Sequence, residues 1–354
     1  MRVLVISPAK APFVEDPLRF LPREFEVDLL YISASLSHDP PRRSDSVHIE
    51  EMAGLPALTN LYLIKKVQAE LNSILIDRRV GEYDIVHGHF TYPSGRFLSR
   101  LKARRGVRTV LTGHGSDVYM WPFLSRAWNR EIRTVLGDAD RVVTVSRRNC
   151  DILLENDMVA QERLRLIHNG VDDSRFRPMA TGGDGTRLLA VGRFSPEKRH
   201  LELIRAMDGL DASLTIVGKG GMKADYERLI ASLGLGDRVT LIDWLEPDEL
   251  AKVINSADVF VHPSEREGFP AILPEVLACG VPVVATAVGG VPEIIDASNG
   301  ILVQDMLQSS LVDAVREAMR TDFDRKAIAE GARRRFSYSH VSAQLADVYR
   351  EAVE

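Results

Sequence analysis

Two glutamates with seven residues between them, Glu267 and Glu275, stand in the run Ser264-Glu265-Arg266-Glu267-Gly268-Phe269-Pro270-Ala271-Ile272-Leu273-Pro274-Glu275. The order of residue types reads as a strand end, a glycine turn and a helix with proline in its first turn. A helix N-terminus facing a cleft is an anion site, because its first N–H groups have no partner inside the helix. Glu267 falls on the loop and Glu275 on the helix. Two carboxylates so placed accept hydrogen bonds from sugar hydroxyls. Upstream, Gly192 ends an apolar run and Arg193-Phe194-Ser195-Pro196-Glu197-Lys198 follows. Ser195 is suited to cap a helix and Pro196 to its first turn, so Arg193 and Lys198 flank a second helix N-terminus. Gly289-Gly290 precedes Pro292, and glycines there let backbone amides approach a phosphate. Gly218-Lys219-Gly220-Gly221 follows a strand and is placed to touch a nucleotide. His114 comes directly after the run 108–112, so it is expected to face the cleft at the end of a strand.

Short apolar runs recur to carry these residues. They fall at 2–7, 26–31, 84–88, 108–112, 141–145 and 164–167, then at 187–191, 213–217, 238–242, 258–262 and 282–286. Near-continuous Val/Ile/Leu strands alternating with helical segments imply parallel sheets covered on both faces. The expectation is α/β, with two doubly wound domains facing an interdomain cleft at the carboxyl ends of their strands. Residues 171–185, with Thr181-Gly182-Gly183-Asp184-Gly185, read as the linker. The first domain spans 1–170, and residues 340–354, where Val341, Leu345, Val348 and Tyr349 have helical spacing, form a C-terminal helix. The second spans 186–339. Pro274, directly before Glu275 in the helix, either costs about 3 kcal/mol as an interior proline or marks the helix start.

These motifs together resemble the family 4 retaining glycosyltransferases of the GT-B fold. The tail Ala278-Cys279-Gly280-Val281-Pro282-Val283-Val284-Ala285-Thr286 carries the resemblance, with Ala257-Asp258-Val259-Phe260-Val261-His262-Pro263-Ser264, Ile216-Val217-Gly218 and Gly289-Gly290-Val291-Pro292-Glu293. In the first half Thr112-Gly113-His114-Gly115-Ser116-Asp117-Val118 and His168-Asn169-Gly170-Val171-Asp172 add to it. The resemblance implies transfer of a sugar from a nucleotide-diphosphate donor, UDP or GDP, with retention, no cofactor and no metal. It also implies that the C-terminal helix 340–354 returns to the first domain. It makes Arg193 and Lys198 the clamp on the leaving diphosphate, and puts Glu267 on the transferred sugar and Glu275 on the ribose. His114 then lies near the scissile bond, so His114, Arg193, Lys198 and Glu267 form the catalytic set. Gly192, Gly218, Asp243, Trp244, Gly268, Phe269, Pro270, Gly289 and Gly290 complete the donor site. Lys10, Tyr92, Asp117 and Trp121 are the expected acceptor contacts. Two departures stand out: the loop at residues 8–17 lacks the family's glycine pair, and Asp243 replaces a glycine near the base. No side chain presents itself as a nucleophile, so the glutamates are not a glycosidase acid–base pair. A sugar-nucleotide epimerase of the same fold and an inactive GT-B scaffold are the alternatives; intact Arg193, Lys198, Glu267 and Glu275 argue against the scaffold.

Composition narrows the partners. The chain has 354 residues, a net charge of −5 and two cysteines, which excludes a disulfide scaffold and a cysteine metal cage. The acidic balance speaks against nucleic acid. Asp138-Ala139-Asp140 precedes a strand rather than following one, so it is not expected to hold a metal. No Gly-x-x-x-x-Gly-Lys-Ser/Thr loop and no early Gly-x-Gly-x-x-Gly occurs. The N-terminal apolar run is too short for a signal or a span, so a cytoplasmic protein is expected. Residues 85–116 contain no acid but carry Arg96, Arg100, Lys102, Arg104, Arg105 and Arg108. With Tyr119-Met120-Trp121-Pro122-Phe123-Leu124 and Trp128 nearby, an anionic membrane surface is an expected partner, peripheral at the inner membrane face. Relatives that share His89-Phe90-Thr91-Tyr92-Pro93-Ser94-Gly95 resemble cell-surface polysaccharide enzymes, whose acceptors are commonly lipid-linked.

Overall fold

The computed structural model describes residues 1–33, 42–44, 47–53, 69–70, 72, 74, 76–77, 83–179, 186–305 and 307–354. It divides into two compact units, Met1–Asn169 with Tyr338–Glu354, and Gly170–Ser337.

The first unit is built on an eight-stranded sheet. In chain order its strands are β1 (Arg2–Ser7), β2 (Glu26–Ser33), β3 (Arg42–Ser44), β4 (Val47–Ala53), β5 (Ile85–His89), β6 (Arg108–Gly113), β7 (Arg141–Thr144) and β8 (Leu164–Leu166). Their order across the sheet is β3-β4-β2-β1-β5-β6-β7-β8, parallel throughout except for β3. The central strands are buried along nearly their whole length, as continuous apolar runs require when helices cover both faces. Toward the sheet edge β4 alternates instead: Val47 and Ile49 are buried while His48 faces solvent. Continuous apolar runs do not mark such a pattern, so β3 and β4 are additions to the strands expected from sequence.

The chain's last helix, Tyr338–Val353, lies on this sheet. Val341, Leu345, Val348 and Tyr349 pack into one core with Val3, Val5, Ile85 and Val110. Ser342 Oγ donates to the carbonyl of Pro17 at 2.5 Å, and the Tyr349 hydroxyl lies 2.8 Å from Nδ1 of His87.

The second unit holds six parallel strands: β9 (Arg187–Val191), β10 (Ser213–Val217), β11 (Val239–Ile242), β12 (Val259–His262), β13 (Val283–Thr286) and β14 (Gly300–Val303), in the order β11-β10-β9-β12-β13-β14. Five of them match the expected runs, and β14 is an addition. Both sheets are doubly wound, the α/β arrangement of GT-B. Of the expected linker, residues 180–185 lie outside the described residues. Its first part is packed structure of the second unit: Val171 N–H donates to Phe336 O at 2.7 Å, and Met179 N–H to Asn255 Oδ1 at 2.7 Å. The glutamate helix runs Ile272–Ala278, starting two residues before Pro274. Pro274 thus sits in the first turn, where its missing N–H leaves no helix bond unmade.

Candidate functional site

In the second unit the site is assembled at the carboxyl ends of β9, β10, β12 and β13. Two close backbone approaches hold the loops there. A Cβ on Gly218, whose φ is +155°, would lie 1.9 Å from the carbonyl oxygen of Gly192. A Cβ on Gly289, at φ +54°, would lie 1.9 Å from the carbonyl oxygen of Glu267. Only glycine fits either place. Gly290 N–H donates to Gly268 O at 2.9 Å, so that amide is already engaged. The glycine pair therefore brings two loops together, a structural role beside the approach to a phosphate expected from the sequence. After Gly192 the chain forms a 3-10 turn, Pro196–Lys198, then passes through Arg199 at φ 52° into the helix His200–Ala206. Ser195 does not cap it. Its hydroxyl donates to Glu197 Oε1 at 2.7 Å, and Glu197 O accepts the Glu265 N–H at 2.8 Å, tying the Arg193 loop to the Glu267 loop.

This scaffold sets Lys198 Nζ 2.6 Å from Glu267 Oε1, with the two side chains 16 % and 10 % exposed. The same oxygen lies 2.8 Å from Nε2 of His262, the last residue of β12, and Ser264 Oγ is 3.2 Å from that nitrogen. Burial by itself would raise the carboxyl pKa of Glu267. The hydrogen bond and charge of His262, then the charge of Lys198, outweigh it and bring the pKa down to about 2. Glu267 is thus a fixed carboxylate, poor as a proton donor and well suited to accept hydrogen bonds. Arg193 behaves differently: its side chain is 78 % exposed and, among the described residues, pairs only with Glu197 at 3.1 Å. An exposed guanidinium beside a buried lysine gives one mobile and one fixed positive charge at a single loop.

The remaining donor residues divide. Glu275 is half-buried on its helix, and a negative charge there adds to the burial that pushes the Cys279 thiol up to about 12. Phe269 is 5 % exposed and packs edge-on to Phe336 at 5.9 Å, and Pro270 is buried as well. Their side chains belong to the core, which leaves only backbone to face a ligand. Asp243 pairs with Lys223 at 2.7 Å, and Trp244, 63 % exposed, lies under the Lys219 ammonium at 5.5 Å. Gly218 N–H donates to Ile242 O, placing the two turns side by side. His262 is the site residue that motif spacing misses, although a histidine ending a parallel strand is where ligands gather in such sheets.

In the first unit His114 follows β6 and is half-buried. Its Nε2 lies 2.9 Å from Nδ1 of His89, and Phe13 and Phe90 cover its ring at 4.9 and 4.6 Å. Burial, then the neighbouring His89, holds its pKa well below the ordinary value, so the imidazole is neutral. Two expected acceptor contacts are internal instead. Asp117, 3 % exposed, accepts the N–H groups of Thr91, His114 and Gly115 at 2.8–3.0 Å and so shapes the loop under His114. Tyr92, 3 % exposed, stacks edge-on against the buried Trp128 at 5.0 Å, with Trp121 beside both. Lys10 is half exposed and pairs with Glu51 at 3.1 Å.

The acid-free stretch is not acid-free in space. Arg96 and Arg100 pair with Glu70, Lys102 and Arg108 with Asp140, and Arg104 and Arg105 with Asp77. These three carboxylates, with Glu131 also on Arg96, offset only part of the charge of the six cations, which weakens the expected membrane patch without cancelling it. No helix among the described residues is long and apolar enough to cross a membrane.

Known proteins match along the whole of this arrangement. The family described as Glycosyltransferase Family 4 matches residues 13–175, and that described as Glycosyl transferases group 1 matches residues 173–335. The D-inositol 3-phosphate glycosyltransferase of Saccharomonospora viridis is 31 % identical over 77 % of this chain and 71 % of its own. Sucrose-phosphate synthase from Thermosynechococcus elongatus superposes with a TM-score of 0.84 at 22 % identity, over 99 % of this chain and 98 % of that one. Anabaena HepE, in complex with UDP-glucose, superposes at 0.75 with 17 % identity, over 99 % and 100 %. With doubly wound sheets in both units, and the motif glutamate and lysine joined at one set of strand ends, the chain belongs to the glycosyltransferases of group 1 and family 4, on the GT-B fold.

Proposed function

We propose that this enzyme takes its sugar from a UDP- or GDP-sugar held by the second unit, and transfers it with retention of configuration and without a metal ion. The observation that carries the proposal is the buried Lys198–Glu267 pair, with His262 on the same carboxylate oxygen and exposed Arg193 on the adjoining loop. The diphosphate leaving group gains negative charge as the bond from the sugar to its oxygen breaks. Lys198 and Arg193 meet that charge from one side, the work a divalent cation would otherwise do. Glu267, held ionised, accepts hydrogen bonds from hydroxyls of the transferred sugar, and Glu275 accepts from the ribose. The acceptor hydroxyl forms the new bond on the face the diphosphate leaves, and its proton passes to the departing phosphate oxygen. The complex of Anabaena HepE with UDP-glucose supports a nucleotide-sugar donor for a chain of this fold.

A thermal-shift screen with UDP-, GDP- and ADP-sugars tests the donor. At a hundredfold excess over Kd the stabilisation is about 2.7 kcal/mol. The shift and the transfer should both persist in EDTA. Activity abolished by chelation and restored by Mg²⁺ or Mn²⁺ would falsify the metal-free account.

The acceptor is proposed to be lipid-linked, met at an anionic bilayer by the apolar part of the surface the sequence suggested, with other cations beside it. Phe123 and Leu124 are 51 % and 58 % exposed, with Met120 at 37 %. Beside them Arg126 and Arg130 are exposed and enter no ion pair among the described residues; they line a groove with Phe123, Ser125 and Asn129. Apolar side chains flanked by unpaired cations suit an anionic surface, at about 1 kcal/mol per cation. In vesicle flotation, Phe123→Ser with Leu124→Ser should release the protein, whereas Lys102→Ser with Arg104→Ser should not. No flotation at low salt would leave a soluble acceptor.

A further inference from the structure

We propose that His89 is a positioning residue for His114, holding its ring in place and its proton on Nδ1, so that His114 meets a ligand as a hydrogen-bond donor. His89 is the last residue of β5, and His114 stands just past the neighbouring strand β6. Their nitrogens, His89 Nδ1 and His114 Nε2, are 2.9 Å apart. The ring planes differ by only 20°, and the centroids are 5.1 Å apart. That separation is close to the bond length plus the two ring radii, so the rings lie edge to edge along the hydrogen bond.

His89 is itself immobilised. Its ring lies 4.3 Å from that of His87, whose two nitrogens are held by the Tyr349 hydroxyl at 2.8 Å and Thr112 Oγ1 at 2.7 Å. Ser94 Oγ donates to the His89 carbonyl at 2.6 Å, and the next residue, Phe90, is fixed at φ 68° with its N–H on Thr112 O. The last helix therefore reaches His114 through a ladder of three imidazoles.

A hydrogen bond between two neutral imidazoles fixes both tautomers together. Burial keeps both rings neutral. The outer nitrogens, His89 Nε2 and His114 Nδ1, are both buried, and neither has a hydrogen-bond partner among the described residues. One of the two must carry the remaining proton. If His114 donated, that N–H would sit on His89, which is 5 % exposed and stacked on His87, and nothing could relieve it. If His89 donates, the N–H sits on His114, whose Nδ1 is covered by side chains that are themselves half-buried, Phe13 and Phe90 among them, and a ligand hydroxyl satisfies it once that cover moves aside. Leaving a buried N–H unpaired is costly, which favours the arrangement a ligand can complete.

That the ligand is a sugar hydroxyl rests on the proposed glycosyl transfer; the tautomer and its dependence on His89 do not. Nitrogen-15 NMR of labelled histidines, without added ligand, should show His114 protonated at Nδ1 and bare at Nε2. His89→Asn places an amide N–H where Nδ1 stood, so the tautomer should survive. His89→Leu should lose it, giving a mixture. In transfer assays His89→Leu should lower kcat about tenfold to a hundredfold, the scale of a slightly misplaced group, with little change in KM for the donor, and His89→Asn should restore most of it. Protonation of wild-type His114 at Nε2, or an Asn variant as impaired as the Leu variant, would overturn the assignment. If His89→Leu fails to fold, the wild-type spectrum and the Asn variant still decide. The expected tautomer in a protein that binds no nucleotide sugar would refute the functional proposal and leave this one standing.

Discussion

Lys198 and Arg193 should part company when replaced, because one is buried and the other is not. Lys198→Ala strips the cation from a carboxylate that is 10 % exposed, leaving His262 as its remaining partner. Losing one member of such a pair costs about 2–5 kcal/mol. Both the melting temperature and the rate of transfer should fall. Arg193→Ala removes a side chain that is 78 % exposed, so stability should change by less than about 0.5 kcal/mol while donor affinity and turnover drop. Thermal melts with UDP- and GDP-binding assays on both variants check this; equal loss of stability would contradict the assignment. Lys198 and Glu267 stand out in the sequence through the motifs around them and the family these resemble. What spacing does not carry is the direction of a side chain. Asp117 and Tyr92 sit in motif-rich loops, yet one is turned onto backbone amides and the other into an aromatic core. His262 escapes for the converse reason: it ends an apolar strand and reads as core until Glu267 folds back onto it.

Glycine positions decide whether the loops can meet. Adding a methyl at Gly289 drives it into the Glu267 carbonyl, and at Gly218 into the Gly192 carbonyl. Gly289 also sits at φ +54°, which alone costs about 1–3 kcal/mol for another residue. Gly289→Ala and Gly218→Ala should each lower the melting temperature clearly and weaken donor binding. Gly221→Ala, where a Cβ meets nothing within 4 Å, is the control and should be near neutral. A Gly289→Ala protein that melts and binds like the parent would contradict this account of the loop contact. Elements of continuous apolar character are legible in the sequence itself. The strands β4 and β14 are not, since β4 lies toward the sheet edge with one exposed face and β14 is four residues beginning at a glycine. The basic helix Ser94–Arg105 is legible as a helix, but not its ion pairs, because Glu70, Asp77, Glu131 and Asp140 lie outside the acid-free stretch.

Across the whole molecule, acid should weaken both units in one window. His89 in the first unit and His200 in the second are both held neutral by burial, with pKa lowered from 6.5 to about 3. In the unfolded chain they protonate near 6.5, so the unfolded state binds more protons between those values. Stability is therefore full above about pH 6.5 and declines toward pH 3, at about 1.4 kcal/mol per pH unit for each group. Glu267, lowered from 4.5 to about 2, adds a further loss of the same sign below about pH 4.5. Urea melts from pH 7.5 to 5 check it. Trp121 and Trp128 in the first unit, and Trp244 in the second, report on each unit when the tryptophans of the other are changed to Phe. A flat profile would contradict the buried neutral histidines. The two-unit division is legible from the repeated strands, whereas the extent of each unit along the chain is not, since residues 171–179 are irregular in sequence yet bonded to Phe336 and Asn255. The return of the last helix has a consequence for synthesis. The first unit begins before the second, but Val341, Leu345, Val348 and Tyr349, which complete its core, emerge from the ribosome only after the whole second unit. The second unit, continuous from Gly170 to Ser337, has all its residues in hand earlier. A nascent chain halted before residue 338 therefore carries a finished second unit behind an unfinished first one. The unit whose core contains helix Tyr338–Val353 matures only once that helix has been made, well after the rest of the unit, which leaves its apolar sheet face in need of chaperone cover until then.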